Sequence, residues 1–221
     1  MGTPPQKKSL IIDTGSHLTI FPCKGCTKCR KDHFYSLFDP SKSGSFQWID
    51  PAQTYFDWNC ARPTSDKRCD FEQGYSEGSV YSGQFAMDSF LFENELNEKE
   101  PHNHQHIFGC AMVETNEFYR QKADGIIGIG VLTKDRYRNP PTILDTELFE
   151  RRISKESFAL CLARDGGVMS LGQSNIDRHL ADAGEVKVDC SGMSWNDQFN
   201  VNLTGLSVSL EGRISGSEVR L

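Results

Sequence analysis

Short apolar runs separated by turn residues dominate the chain, and this pattern predicts a mostly β protein. Strands are predicted at residues 10–12, 18–21, 79–92, 107–112, 123–130, 158–162, 168–171 and 201–210. Leu144, Leu148 and Phe149 follow a helical spacing after two prolines, so one helix is predicted over residues 142–152. Residues 23–70 show no clear period, and residues 93–106 are predicted to form a charged connection.

Charge and hydropathy exclude two classes of partner. The chain has 24 lysines and arginines against 30 aspartates and glutamates, a net charge of −6, whereas nucleic acid binding needs a basic face. The longest apolar stretch, near residues 125–132, is far shorter than the ~20 residues that cross a bilayer, so no membrane span is expected in this chain. The first residues are polar and unlike a signal peptide, so we expect a chain trimmed at its N-terminus.

The cysteines support two interpretations. There are eight: Cys23, Cys26, Cys29, Cys60, Cys69, Cys110, Cys161 and Cys190. Disulfides are the interpretation we favour, and they would indicate an oxidising compartment. Alternatively, Cys23, Cys26, Cys29 and His33 have a spacing that suits a structural metal, whereas an iron–sulfur cluster would want a cysteine in place of His33. A glycosylation sequon at Asn202 is compatible with a secretory route.

Three histidines, His102, His104 and His106, alternate along a short segment. An extended strand would place the three imidazoles on one face, where they could bind zinc. A polar hairpin at the surface explains the same alternation and is the interpretation we favour. We therefore expect no metal and no cofactor.

The residues that carry chemistry begin with Asp13-Thr14-Gly15-Ser16, which follows a short apolar strand. Gly15 allows neighbouring backbone to approach closely, and the hydroxyls of Thr14 and Ser16 can orient a carboxylate. A tetrapeptide of this kind also forms ordinary Asx turns. The segment alone therefore leaves a catalytic turn and a structural turn as alternatives.

Two later segments distinguish these alternatives. Tyr75-Ser76-Glu77-Gly78 lies about 60 residues beyond the first motif, and Ala123-Asp124-Gly125-Ile126-Ile127-Gly128 about 50 residues further on. In this order and spacing, the three segments resemble the N-terminal lobe of pepsin-like aspartic proteases (family A1). The cysteine-rich segment and Phe108-Gly109-Cys110 are similar to the branch that contains nepenthesins and plasmepsin V with its protist relatives.

The resemblance implies an all-β fold, a closed, double-psi-type lobe with few short helices, plus the start of a second lobe. Residues 1–165 would be the N-terminal lobe with a cysteine-rich insert at 23–70. Residues 166–221 would be the interlobe crossover and the incomplete start of the C-terminal lobe. Five cysteines between residues 23 and 69 is an odd number, so one would pair elsewhere or stay free, and Cys110 with Cys161 is a suggested further bridge.

The resemblance also implies roles for individual residues. Asp13 would be one of two aspartates, one from each lobe, that share a proton and activate the attacking water. Ser16 would hold the charge of Asp13, and Thr14 would brace the two catalytic loops across the lobe interface. Tyr75 would close over substrate, together with its flap neighbours Ser76, Glu77 and Gly78. Ile20 stands where pepsins carry the tryptophan that bonds the flap tyrosine, and Ser76 stands where plasmepsin V-like enzymes carry cysteine.

Glu77 allows two interpretations. A flap carboxylate could pair bidentately with an arginine of the substrate. A solvated glutamate in the turn of an acidic protein explains the residue equally well.

A second Asp-Thr-Gly or Asp-Ser-Gly does not occur in the 221 residues. We therefore expect an aspartic endopeptidase fragment that is inactive alone, with a peptide or protein substrate, whose missing partner is a C-terminal lobe carrying the second aspartate. Its expected location is the secretory pathway, and a missing C-terminal region could carry a membrane anchor. The alternatives are a catalytically dead peptide- or inhibitor-binding half-protease and a Cys/His metal-bound structural module.

Overall fold

The described part of this computed structural model comprises residues 1–30, 32–92, 104–130, 139–172 and Phe199. Its strands are β1 (Leu10–Asp13), β2 (Thr19–Pro22), β3 (Gln47–Trp48), β4 (Thr54–Tyr55), β5 (Trp58–Asn59), β6 (Asp70–Gly74), β7 (Val80–Phe90), β8 (His104–Glu114), β9 (Gly125–Gly128), β10 (Phe158–Ala163) and β11 (Gly166–Leu171). The helices are α1 (Asn116–Arg120) and α2 (Ile143–Phe149), with a 3₁₀ turn at Pro40–Lys42. The predicted all-β class is confirmed.

Seven strands form the main sheet in the order β1-β9-β2-β8-β7-β3, with β6 paired to β7. Strand β9 runs parallel to β1 and antiparallel to β2, so it lies between the two strands that precede and follow the Asp13 turn. Among the described strands this sheet is open, so the closed lobe that the resemblance implied is not seen there. Strands β10 and β11 form a separate hairpin, and the predicted strand at 201–210 lies outside the described residues.

The core lies on both faces of the main sheet because neighbouring strand residues point to opposite sides. Ile20 belongs to one apolar cluster and Phe21 to the other, and both are fully buried. On its side of the sheet, Phe21 stacks on Phe108 with ring centroids 4.6 Å apart. This two-sided burial fixes β2, and with it the turn that begins at Asp13.

Helix α2 is shorter than the predicted 142–152. Thr142 caps its first turn, since its hydroxyl accepts from the amide of Asp145 while the Asp145 carboxylate accepts from the amide of Thr142. Leu144 is buried, whereas Phe149 is 52% exposed, so the apolar spacing that predicted the helix differs from its buried face. The inward face instead carries a charged residue, Glu147.

The disulfides are Cys23–Cys110, Cys26–Cys29 and Cys60–Cys69, which confirms disulfides for these six cysteines. The suggested Cys110–Cys161 bridge is wrong, because parallel pairing of β2 with β8 brings Cys110 to Cys23, with Cα atoms 5.4 Å apart. Cys161 is exposed and forms no disulfide within the described ranges, and Cys190 lies outside them. The metal interpretation of the Cys23–His33 cluster is also wrong, because its three sulfurs are oxidised.

Two of the three alternating histidines are in the interior. His104 and His106 belong to β8 and are 9% and 2% exposed, so the surface-hairpin interpretation is wrong for both; His102 lies outside the described residues. The strand extends past its apolar centre because it pairs with β7 up to Phe90 opposite His104. In the part of the chain that is described, no helix has the length and hydropathy needed to span a bilayer.

Candidate active site

The centre of the site is the turn that ends β1. Asp13 is half-buried, and its carboxylate accepts a hydrogen bond of 2.9 Å from the amide of Gly15. Such a bond fixes the orientation of the carboxylate. Thr14 is exposed beside it, whereas Ser16 is buried.

Strand β9 and the two residues that follow it are hydrogen-bonded or paired to this turn. The Ile129 amide donates to the Asp13 carbonyl at 2.9 Å, and the Gly130 amide donates to the Ser16 carbonyl at 2.8 Å. Asp13 lies directly opposite Gly128 in the ladder. A Cβ on Gly128 would lie 2.6 Å from the Leu18 amide nitrogen, so only glycine lets the two segments pass this closely.

The flap is the hairpin of β6 and β7, whose turn contains Tyr75 to Ser79. The amide of Tyr75 donates to the carbonyl of Ser79 at 2.9 Å, and the amide of Gly78 donates back to the carbonyl of Tyr75 at 2.9 Å. Gly78 has φ of +88°, a left-handed conformation that favours glycine. Ser76 and Glu77 are exposed at the tip.

Tyr75 connects the flap to the Asp13 turn. Burial raises the pKa of Tyr75 to about 12, with the charges of Asp13 and Glu77 adding to the effect and the nearby Ser16 hydroxyl opposing it. The hydroxyls of Tyr75 and Ser16 are both buried, and neither makes a hydrogen bond of normal geometry to the rest of the described protein. Two neutral hydroxyls beside Asp13 therefore remain to bind a water molecule or a substrate group.

Tyr75 lies in apolar surroundings that include Ile20, which stands where the resemblance implies a tryptophan in pepsins. Tyr75 packs against the cluster that contains Ile20, and its ring meets the ring of Phe118 edge-on at a centroid distance of 4.8 Å. Phe118 also stacks on Tyr81 at 4.0 Å. Aromatic packing thus positions the flap tyrosine without a partner for its hydroxyl.

Helix α1, which the sequence did not predict, supports the turn of the flap. The Asn116 side chain donates to the Gly78 carbonyl at 2.7 Å, and the Glu117 amide donates to the Ser79 hydroxyl at 3.1 Å. Five residues with one buried apolar side chain, Phe118, give no periodic signal. Asn116 has a positive φ of +48°, a conformation that asparagine tolerates. The asparagine at this position was therefore the one sequence feature that could have marked a turn there.

The structure therefore brings Asp13, Ser16 and Tyr75 together at one place, with Gly15 bonded to the carboxylate. Thr14, Ser76, Glu77 and Gly78 lie on the exposed surface of the catalytic turn and of the flap tip. One ionisable carboxylate beside two hydroxyls can bind and polarise water. These residues do not include a second acid group, which is needed when one group accepts a proton from water and another donates a proton to the substrate.

Known proteins match most of the chain. The family described as Xylanase inhibitor N-terminal matches residues 1–173. Aspartic protease 5 of Toxoplasma gondii is 36% identical over 185 residues, which are 78% of this chain and 19% of that protein. Plasmepsin V of Plasmodium falciparum is 30% identical over 207 residues, which are 92% of this chain and 33% of that protein.

The likeness extends to plants. Aspartic proteinase nepenthesin-2 of Nepenthes gracilis is 31% identical over 131 residues, 59% of this chain and 28% of that protein. The chain thus spans between a fifth and a third of the length of these curated relatives. The matched residues contain the catalytic turn, the flap and β9, and the chain belongs to the pepsin-like aspartic protease family, of which it matches the N-terminal region.

Proposed function

We propose that this chain supplies one half of an aspartic endopeptidase, with Asp13 as one of two carboxylates that activate water for attack on a peptide bond. The observation that carries the proposal is the meeting of Asp13, Ser16 and Tyr75 under the flap. Two neighbouring carboxylates cannot both ionise readily, so one holds a proton while the other accepts one from water. The bond from the Gly15 amide holds the Asp13 carboxylate in a fixed orientation for this role.

The remaining residues assist this chemistry. Tyr75 covers the carboxylate and limits the entry of bulk water once substrate is bound. The Ser16 hydroxyl holds the charge of Asp13, and exposed Thr14 braces the turn against its counterpart in the second lobe. Ser76, Glu77 and Gly78 line the substrate side of the flap.

The division of the chain follows from the same proposal. Residues 1–165 are the N-terminal lobe with an insert at 23–70, and residues 166–221 lead into a C-terminal lobe that provides the second aspartate. The 221 residues alone are then inactive, since they contain one Asp-Thr-Gly. Three disulfides support an oxidising compartment of the secretory pathway.

Sequencing the transcript downstream of the Leu221 codon tests the proposal. It predicts a second apolar-apolar-Asp-Thr/Ser-Gly turn within a few tens of codons, and a longest natural polypeptide that cleaves peptides while the 221-residue chain does not. A stop codon at that point, or cleavage by the 221-residue chain at a rate proportional to its concentration, would contradict it.

A second candidate function is a peptide- or inhibitor-binding module without catalysis. It is favoured by the single Asp-Thr-Gly, since one aspartate cannot supply both carboxylates. This function predicts that the longest natural polypeptide binds a pepstatin-like peptide but cleaves nothing at any concentration. Cleavage that pepstatin blocks would exclude it.

A further inference from the structure

Strands β9 and β2 separate β1 from β8 in the sheet, and β8 and α2 enclose a group of side chains of the types that bind metals. His104 and His106 lie two residues apart on one face of β8, with ring centroids 6.3 Å apart and ring planes 11° from parallel. Glu147 reaches them from α2 and is 4% exposed. One ligand atom from each residue lies within 4.8 Å of the other two, and all three residues are buried.

The contacts within this group leave the ring nitrogens of His106 without a well-formed hydrogen bond. Glu147 Oε1 lies 2.9 Å from His104 Nδ1 and 2.9 Å from His106 Nε2. Neither nitrogen of His106 makes a hydrogen bond of normal geometry, although the ring is 2% exposed. Arg152 Nη1 also lies 2.9 Å from His104 Nδ1, and one ring nitrogen cannot donate to a carboxylate and accept from a guanidinium at once.

We propose that His104, His106 and Glu147 form a zinc site that joins α2 to β8. Two imidazoles and one carboxylate are a ligand set that zinc takes, with a water molecule in the fourth position. Zinc bonds of about 2.0–2.1 Å in a tetrahedron place ligand atoms roughly 3.3 Å apart. The two Glu147–histidine distances of 2.9 Å therefore need to open slightly, and the two histidine nitrogens, which lie within 4.8 Å of each other, need to reach the same separation. The site is separate from the catalytic turn and independent of the proposed protease function.

Arg152 occupies the place of the cation when zinc is absent. Its side chain is 27% exposed, its Nη1 lies 3.3 Å from Glu147 Oε1, and its Nη2 lies 4.0 Å from Glu150 on the surface side. A long side chain at this position can turn out to Glu150 and leave the three ligands to the metal. The ring of Phe90 meets His106 edge-on at 5.1 Å and supplies an apolar wall that favours metal–ligand bonds.

The test measures zinc binding by the complete 221-residue chain. After the chain is equilibrated with zinc and dialysed, elemental analysis is expected to give one zinc per chain. Cobalt substituted for zinc is expected to give a visible spectrum without thiolate-to-cobalt charge transfer. No bound zinc, or a cobalt spectrum that shows a thiolate ligand such as exposed Cys161, would overturn the proposal.

Matched variants then assign the ligands. Glu147→Gln and His106→Gln are expected to weaken zinc binding at least about tenfold. Arg152→Met is expected to tighten it by about threefold, because a competing cation is removed. Cys161→Ser, which changes an exposed thiol elsewhere, should leave the affinity unchanged.

Glu147→Gln is expected to weaken zinc binding and Arg152→Met to tighten it. Because a general loss of structure would weaken binding in both variants, this difference distinguishes ligation from misfolding. If Glu147→Gln does not fold, the cobalt spectrum of the unaltered chain and the zinc affinity of Arg152→Met still test the zinc site. Zinc affinity that Arg152→Met leaves unchanged, or that Cys161→Ser abolishes, contradicts the proposal.

Discussion

The sulfurs of Cys23 and Cys110 join β2 to β8 although 87 residues separate them in the chain. Both cysteines are fully buried, beside the ladder in which Phe21 pairs with Cys110. Cys26–Cys29, in contrast, joins two cysteines only three positions apart in the same segment. The first disulfide therefore fixes the sheet that carries the catalytic turn, and the second constrains only a local loop.

Loop length predicts different stabilities for the two bridges. Because a closed loop restricts the unfolded chain more as it lengthens, removing Cys23–Cys110 with paired alanines should lower the free energy of unfolding by about 4 kcal/mol. The same change at Cys26 and Cys29 should cost about 2 kcal/mol. Urea unfolding of the two double variants measures both values, and equal losses would contradict this account.

The buried pair of His33 and Glu114 predicts a pH-dependent stability. Burial alone would lower the pKa of His33, but the hydrogen bond and charge of Glu114 and the charge of Asp124 raise it above 6.5. The His33 Nε2 atom lies 3.2 Å from Glu114 Oε2, with side chains 1% and 0% exposed. This link stabilises the fold fully below pH 6.5 and is lost as pH rises through the raised pKa.

His33→Gln should therefore destabilise the chain by at least about 2 kcal/mol at pH 5.5 and by less at pH 8.5. Denaturant unfolding at the two pH values gives the comparison. A loss for His33→Gln that is the same at both pH values would show that the pair does not titrate as described.

The close contact at Gly128 predicts that adding one methyl group there lowers the stability of the fold strongly. Gly128→Ala places a Cβ 2.6 Å from the Leu18 amide nitrogen, so the backbone behind Asp13 must shift, at a cost of about 3 kcal/mol. Gly74 at the end of β6 has no atom within 4 Å of such a Cβ. Gly74→Ala should stay within about 0.5 kcal/mol of the unaltered chain in thermal unfolding. The account fails if the two alanine variants are equally stable.

Exposed Glu77 at the flap tip predicts a selective effect on substrate choice. If its carboxylate pairs with a substrate arginine, Glu77→Ala in the longest natural polypeptide should lower kcat/KM about tenfold or more for arginine-bearing peptides. Neutral peptides of the same length should be cleaved at the unaltered rate. Glu72→Ala, an exposed carboxylate on β6, is the matched control. An equal loss on neutral peptides would contradict the pairing and leave Glu77 as a solvated turn residue.

The sequence predicted the parts of the fold that rest on local pattern or on a recognisable motif. The strand before Asp13, the flap around Tyr75 and β9 all lie where their residues indicated. Contacts between distant residues could not be predicted in the same way. Cys110 pairs with Cys23 because of a parallel register that no local pattern specifies.

The sequence also did not predict which polar residues are buried. His104 and His106 were predicted at the surface because they alternate within a polar segment, and their partner Glu147 lies on a helix about 40 residues away. Helix α1 was not predicted because its stability comes from bonds to the flap, such as that from Asn116 to Gly78, rather than from helical periodicity.

The role of Asp13 is tested most directly by peptide cleavage with the longest natural polypeptide that contains these 221 residues. Asp57→Asn changes another aspartate, exposed and in a left-handed conformation that asparagine accepts, and should leave kcat/KM unaltered. Asp13→Asn, which keeps the shape of the turn, is predicted to lower kcat/KM by at least about 10³-fold with unchanged thermal unfolding. A loss of less than about threefold, roughly 0.7 kcal/mol, would contradict the assignment of Asp13 as a catalytic carboxylate.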